Sequence, residues 1–147
     1  MVIVEMDRSA CKALLNDSRI GRLACVRDGQ PYVVPISFAA DGNYLYGFSL
    51  VGQKVEWMRQ NPKVCVQIDE LHDMRNWRSL VIYGRFEELP DRLGHKIQRE
   101  RAWALLSRHA QWWEPGALKP ATEAPAPHLF YRISIDEMSG RQSLRAK

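Results

Sequence analysis

The chain has 147 residues, 46% hydrophobic and 26% charged, enough for one domain with a buried core and too apolar for a disordered segment. Its net charge of +4 would attract anionic cofactors or substrates as readily as nucleic acid. The basic residues are scattered except for Arg141, Arg145 and Lys147, so a nucleic-acid-binding face is not expected.

Asp7-Arg8-Ser9 precedes Cys11, Leu14 and Leu15, which predicts a short amphipathic helix capped by Asp7 or Ser9. Ile20 to Arg27 reads as a strand closed by the hairpin signal Asp28-Gly29. From Gln30 to Ala40, Tyr32, Val34, Ile36 and Phe38 share one face, and Val33, Pro35, Ser37 and Ala39 the other. Pro35 has no N–H to give a ladder, so this strand belongs at an edge or bulge. Asp41-Gly42-Asn43 turns the chain into a strand from Tyr44 to Ser49.

Val51, Val55 and Met58 then take helical spacing, and Asn61-Pro62 ends that helix. Val64, Val66 and Ile68 alternate again, followed by a polar loop from Asp69 to Asn76. Trp77 to Leu89 is long enough for a bent strand with a bulge at Gly84. Pro90 opens a helix of four to five turns reaching Arg108; a Trp-, Pro- and Ala-rich loop and a last strand from Leu129 to Ile135 follow. Six short strands with tight turns, broken by helices, suggest a small closed barrel in a single domain over 1–147, with a flexible tail from about 138.

Several chemistries lack their motifs. There is no G-x-G-x-x-G after a strand, no G-x-x-x-x-G-K-[ST], no G-x-S-x-G and no H-E-x-x-H. His72 sits among Asp69, Glu70 and Asp73 but has no second histidine at ligand spacing, which favours a charged loop over a metal site. Cys11, Cys25 and Cys65 are odd in number and far apart, as in free thiols of a reducing cytoplasm; Cys25 and Cys65 fall in apolar strand patterns and should be buried. No run suggests a signal peptide or a membrane span. Trp57, Trp112 and Trp113 lie outside the strand patterns, where a partner subunit or a planar ligand could cover them.

The richest stretch is Gly47-Phe48-Ser49-Leu50-Val51-Gly52-Gln53-Lys54 at a strand-to-helix junction. A helix N-terminus presents unpaired N–H groups and partial positive charge, Ser49 offers a hydroxyl, Gly52 a close backbone approach and Lys54 a point charge. A phosphate would suit that set; ordinary helix capping would use the same residues.

The runs GRLACVRDGQPYVVPISF (21–38), LYGFSLVGQKVEWMRQNPKVCVQID (45–69), WRSLVIYGRFEEL (77–89) and FYRISIDEMSGR (130–141) together resemble the pyridoxamine 5'-phosphate oxidase-like flavin-binding split-barrel proteins, nearest to the nitroimidazole-resistance type. The resemblance implies a mainly β fold with flanking helices, a six-stranded split barrel, and a homodimer with FMN in clefts between subunits. It implies that Ser49 and Lys54 hold the phosphate, that Val34, Pro35, Ile36, Ser37 and Phe48 line the isoalloxazine ring, and that Trp77 and Ser79 lie near the same cleft, from the partner chain in one reading. The sequence departs from the nitroimidazole type at Phe48, where a histidine is usual and where phenylalanine has no proton to transfer.

The resulting expectation is an FMN-dependent oxidoreductase working with small-molecule electron donors and acceptors. The alternative is a non-catalytic flavin or haem carrier or redox sensor, with His72, His95, His109 or His128 as a haem ligand.

Overall fold

The computed structural model describes residues 1–90, 93–108 and 128–144. In chain order the elements are β1 (Val2–Glu5), α1 (Arg8–Asp17), β2 (Ile20–Arg27), β3 (Gln30–Ser37), β4 (Ala39–Asp41), β5 (Tyr44–Leu50), α2 (Gln53–Gln60), β6 (Lys63–Asp73), β7 (Asn76–Leu89), a 3-10 turn (Leu93–His95), α3 (Lys96–Ser107), β8 (His128–Ser134) and β9 (Glu137–Leu144).

Six strands run β3-β2-β6-β7-β8-β5, every neighbouring pair antiparallel, and β5 comes back against β3 without a hydrogen-bonded ladder between them. That unladdered seam is the split in a six-stranded split barrel. β4 continues the sheet beyond β5, while β9 and β1 extend it from the first half of β7. Pro35 does sit on an edge strand, because β3 pairs only with β2.

Tight turns set the register. Asp28 and Gly29 both have positive φ (50° and 79°), the conformation that a two-residue hairpin needs to match strand twist, and Arg27 faces Gln30 across it. Gly84 is not a bulge. It marks where β7 changes partner, pairing with β9 over Arg78 to Tyr83 and with β8 over Phe86 to Leu89. A Cβ there would overlap the Ser134 carbonyl, so only glycine lets the two strands cross so closely.

Paired residues on neighbouring strands share a face, and burial alternates accordingly. Leu23, Val66, Ile68, Leu80, Ile82 and Ile133 point inward and are fully buried, each contributing about 1.5–3 kcal/mol. α1 closes one side with Cys11, Leu14 and Leu15 at helical spacing, and Asp7 caps it by accepting from the Ala10 N–H at 2.8 Å. α2 buries Val55, Trp57 and Met58; Trp57 lies 5.3 Å from the Tyr32 ring with the Arg27 guanidinium 4.9 Å over its face. Trp57 is therefore covered by its own chain rather than left for a partner. A second apolar cluster lies under α3, where Ala102 and Leu106 meet Tyr46, Leu89 and Phe130.

Four further expectations change. β6 and β7 extend into a paired arm as far as Asp73 and Asn76, so the polar stretch after Asp69 is strand rather than loop. α3 has 12 residues and starts only at Lys96, after the 3-10 turn. The segment from 138 is no loose tail up to Leu144, because β9 gains ladders from both β7 and β1. Cys25 is buried, but Cys65 is half-exposed because its strand position points outward. Trp112, Trp113 and His109 lie outside the described residues.

Candidate functional site

β3 and β5 meet at the seam, and α2, which follows β5 directly, packs on β2 and reaches β3 through Trp57 against Tyr32. Along β3, Val34 and Ile36 turn inward to the core, while exposed Pro35 and half-buried Ser37 face out. Ser49 is 6% exposed, and its hydroxyl donates to the Leu50 carbonyl at 2.7 Å. Its hydrogen is thus already used. Phe48 turns to the opposite face of β5, where its ring lies 5.1 Å from that of Phe130, on the α3 side.

Gly52, with extended backbone, stands at the N-cap position just before α2, and no side chain caps the helix. Its first-turn N–H groups are left for solvent or a ligand. Lys54 stands in this first turn, half-buried, with its pKa lowered by desolvation alone. Among the described residues no carboxylate reaches it. A partly desolvated cation without a counter-ion, beside uncapped N–H groups, fits an anionic group such as a phosphate.

Trp77 and Ser79 are elsewhere. They lie on β7, three strands along the sheet from β3, about 14 Å away at ordinary strand spacing. Ser79 belongs to a polar cluster on the outer face: Arg22 Nη1 lies 3.2 Å from Asp69 Oδ2, and Gln67 Nε2 donates to Asp69 Oδ2 at 2.9 Å and to Ser79 Oγ at 3.1 Å. The sequence pattern singles out neither Arg22 nor Gln67, and Asp69 only as part of the charged stretch around His72. The available signal is the polar side of the β6 alternation, where Gln67 and Asp69 alternate with buried Val66 and Ile68.

His72 is exposed and its Nε2 lies 2.8 Å from Glu70 Oε1, and His95 stands at the start of α3. Among the described residues no group of three or more His, Cys, Asp or Glu side chains could hold a metal ion. No helix there is long and apolar enough to cross a membrane.

The sequence profile of the pyridoxamine 5'-phosphate oxidase family matches residues 7–142. The chain belongs to this family. Within it, an uncharacterised protein of Rhizobium meliloti is 46% identical over 144 residues, spanning 96% of this chain and 95% of the other. The crystal structure of an FAD-binding protein of Mesorhizobium loti is 49% identical, with a TM-score of 0.83 over 98% of this chain and 100% of the other. A candidate 5-nitroimidazole antibiotic resistance protein of Bacteroides thetaiotaomicron superposes with a TM-score of 0.72, covering 96% of this chain and 87% of the other; at 19% identity that likeness concerns the fold. The pyridoxamine 5'-phosphate oxidase-like architecture and the split barrel read from the sequence are thus both present.

Proposed function

We propose that this chain is a flavin-nucleotide-binding protein of oxidoreductase type. In this reading Lys54 and the first turn of α2 take the phosphate of the FMN unit, and the β3 segment Val34–Ser37 lies along the ring. The observation that carries it is Lys54, a half-buried cation with no counter-ion among the described residues, at an uncapped helix start. The Mesorhizobium relative, an FAD-binding protein at 49% identity, supports the flavin. FMN and FAD share the phosphate that Lys54 would meet, so the site is a flavin nucleotide site first.

A bound flavin supplies hydride or single-electron transfer between a small-molecule donor and acceptor. The chain's own part is to bind and orient. Neither Pro35 nor Phe48 can move a proton, and Lys54 serves in this reading as the charge partner of the phosphate. Removing the ring from water falls to β3 and to a second subunit, because Trp77 and Ser79 are too far along the sheet to join Pro35 around one ring. We place the flavin between two copies for that reason.

Titration of the purified protein with FMN, FAD and riboflavin, followed by quenching of flavin fluorescence, tests the reading. Charge-assisted phosphate contacts of about 1.5–3 kcal/mol predict that the nucleotides bind at least about tenfold more tightly than riboflavin. Equal affinity for riboflavin would remove the phosphate role of Lys54.

A further inference from the structure

A cavity of about 290 Å³ lies between α1, the turn before β5 and the link from β8 to β9, and none of the residues assigned to the flavin lines it. Three sulfur side chains do: Met6 just before α1, Cys11 on α1 and Met138 on β9. Met6 is 8% exposed and Cys11 3%, so these two sulfurs stand on a dry floor. They crowd around Gly140. A Cβ there would lie 2.8 Å from Cys11 Sγ and 3.1 Å from Met6 Sδ, so the two sulfurs are no further apart than those distances together. The backbone holds Met6 in place, its N–H donating to the Gly140 carbonyl at 2.9 Å. Met138 precedes Gly140 by two residues and shares its face of β9.

We propose that Met6, Cys11 and Met138 form a thiolate and thioether site for a soft monovalent cation, Cu(I) or Ag(I). Thioethers are neutral, soft ligands on unbranched side chains, which lets Met6 and Met138 swing to one ion at metal–sulfur bonds of about 2.3 Å. On uptake the Cys11 S–H bond breaks, a sulfur–metal bond forms and the proton leaves to solvent, with no change of oxidation state. One monovalent ion and one thiolate are together neutral, which suits an apolar floor. The charged side chains around the cavity already balance, Arg8 and Lys12 against Asp136 and Glu137, so a divalent ion would leave a charge unmatched. Burial, and then Asp7, hold the Cys11 thiol above its ordinary pKa, so without metal it is a protonated thiol at neutral pH and uptake must release its proton.

Anaerobic titration with Cu(I), in competition with a chromogenic Cu(I) chelator, tests the site on the full chain carrying Cys65→Ser, which removes the half-exposed thiol. One Cu(I) per chain should bind with release of one proton, and the melting temperature should rise. X-ray absorption at the copper edge should show three sulfur neighbours at about 2.3 Å. Met6→Leu and Met138→Leu, which nearly conserve volume, should each weaken Cu(I) about tenfold, and Cys11→Ala should abolish uptake. Zn²⁺ in equal amount should not displace the Cu(I). Wild-type Cu(I) affinity in both methionine variants, or a single sulfur neighbour, would reduce the site to a bare thiol and overturn the proposal. So would absence of Cu(I) uptake, or a melting temperature lowered by Cu(I), the sign of an ion that prefers thiols of the unfolded chain. The flavin reading stands or falls separately, since its residues lie elsewhere.

Discussion

At Lys54 stability and function pull in opposite directions. Burial lowers its pKa below the ordinary lysine value of 10.5, which means the folded chain carries the ammonium at a cost. Lys54→Met keeps the aliphatic stem and removes the charge. The apo protein should melt at the same temperature or slightly higher, while nucleotide affinity falls about tenfold or more. A variant that binds FMN and FAD like wild type would make Lys54 an ordinary surface lysine. The same shift gives a pH dependence. The unfolded chain holds this proton to higher pH than the folded one, so the apo fold gains stability as pH rises between the two pKa values. A bound phosphate favours the charged form, so nucleotide affinity should fall over that alkaline range, starting below 10.5, whereas riboflavin affinity should stay flat there. Parallel titration of the two ligands from neutral to alkaline pH checks this sign.

At the scale of elements, the most demanding position is Gly84. Any side chain at this point drives into the Ser134 carbonyl, which belongs to the strand that β7 takes as its second partner. Backbone has no rotamer with which to yield. Gly84→Ala should destabilise the fold by about 3 kcal/mol or more in urea unfolding, and an unchanged midpoint would mean that β7 and β8 do not cross as described. Such crossings were only half legible in the sequence. Periodic residues gave β2, β3, β5, β6 and α2 because their patterns are local: Leu23 to Cys25, Val64 to Ile68, the Asp28-Gly29 turn, the Asn61-Pro62 stop. β1 and β9 escaped because their order comes from pairing with each other at opposite ends of the chain, and β9 is polar along most of its length. The pattern after Pro90 overstates the helix for a related reason: apolar and polar residues are mixed around it, and nothing local marks Lys96 as its start. In the candidate site, the charge at Lys54 was visible as a residue type at a junction. That Ser49 turns inward to Leu50, and that Gln67 bonds Ser79, depends on contacts that one strand's pattern does not encode.

For the whole molecule, the outer face of β2, β3, β6 and β7 matters most. Ile20 (50% exposed), Val33 (60%) and Tyr83 (53%) stand on it with half-buried Ala24, Cys65 and Val81. A lone exposed apolar residue needs no explanation, but a sheet face of them invites a partner. A second copy placed there would bury that surface at about 25 cal/mol per Å². Val33→Asp on the edge strand should split such a pair and reduce flavin uptake while the monomer stays folded, as judged by an unchanged far-ultraviolet circular dichroism spectrum. Retention of both dimer and flavin would remove Val33 from the interface. Sedimentation velocity of the flavin-loaded protein, recorded at the flavin absorption band, tests the central claim most directly, since it reads cofactor and assembly together. The flavin should travel with a particle of twice the 17.0 kDa chain mass. Full flavin occupancy on a 17.0 kDa particle would contradict the shared site, and flavin left behind with the solvent would contradict the cofactor itself.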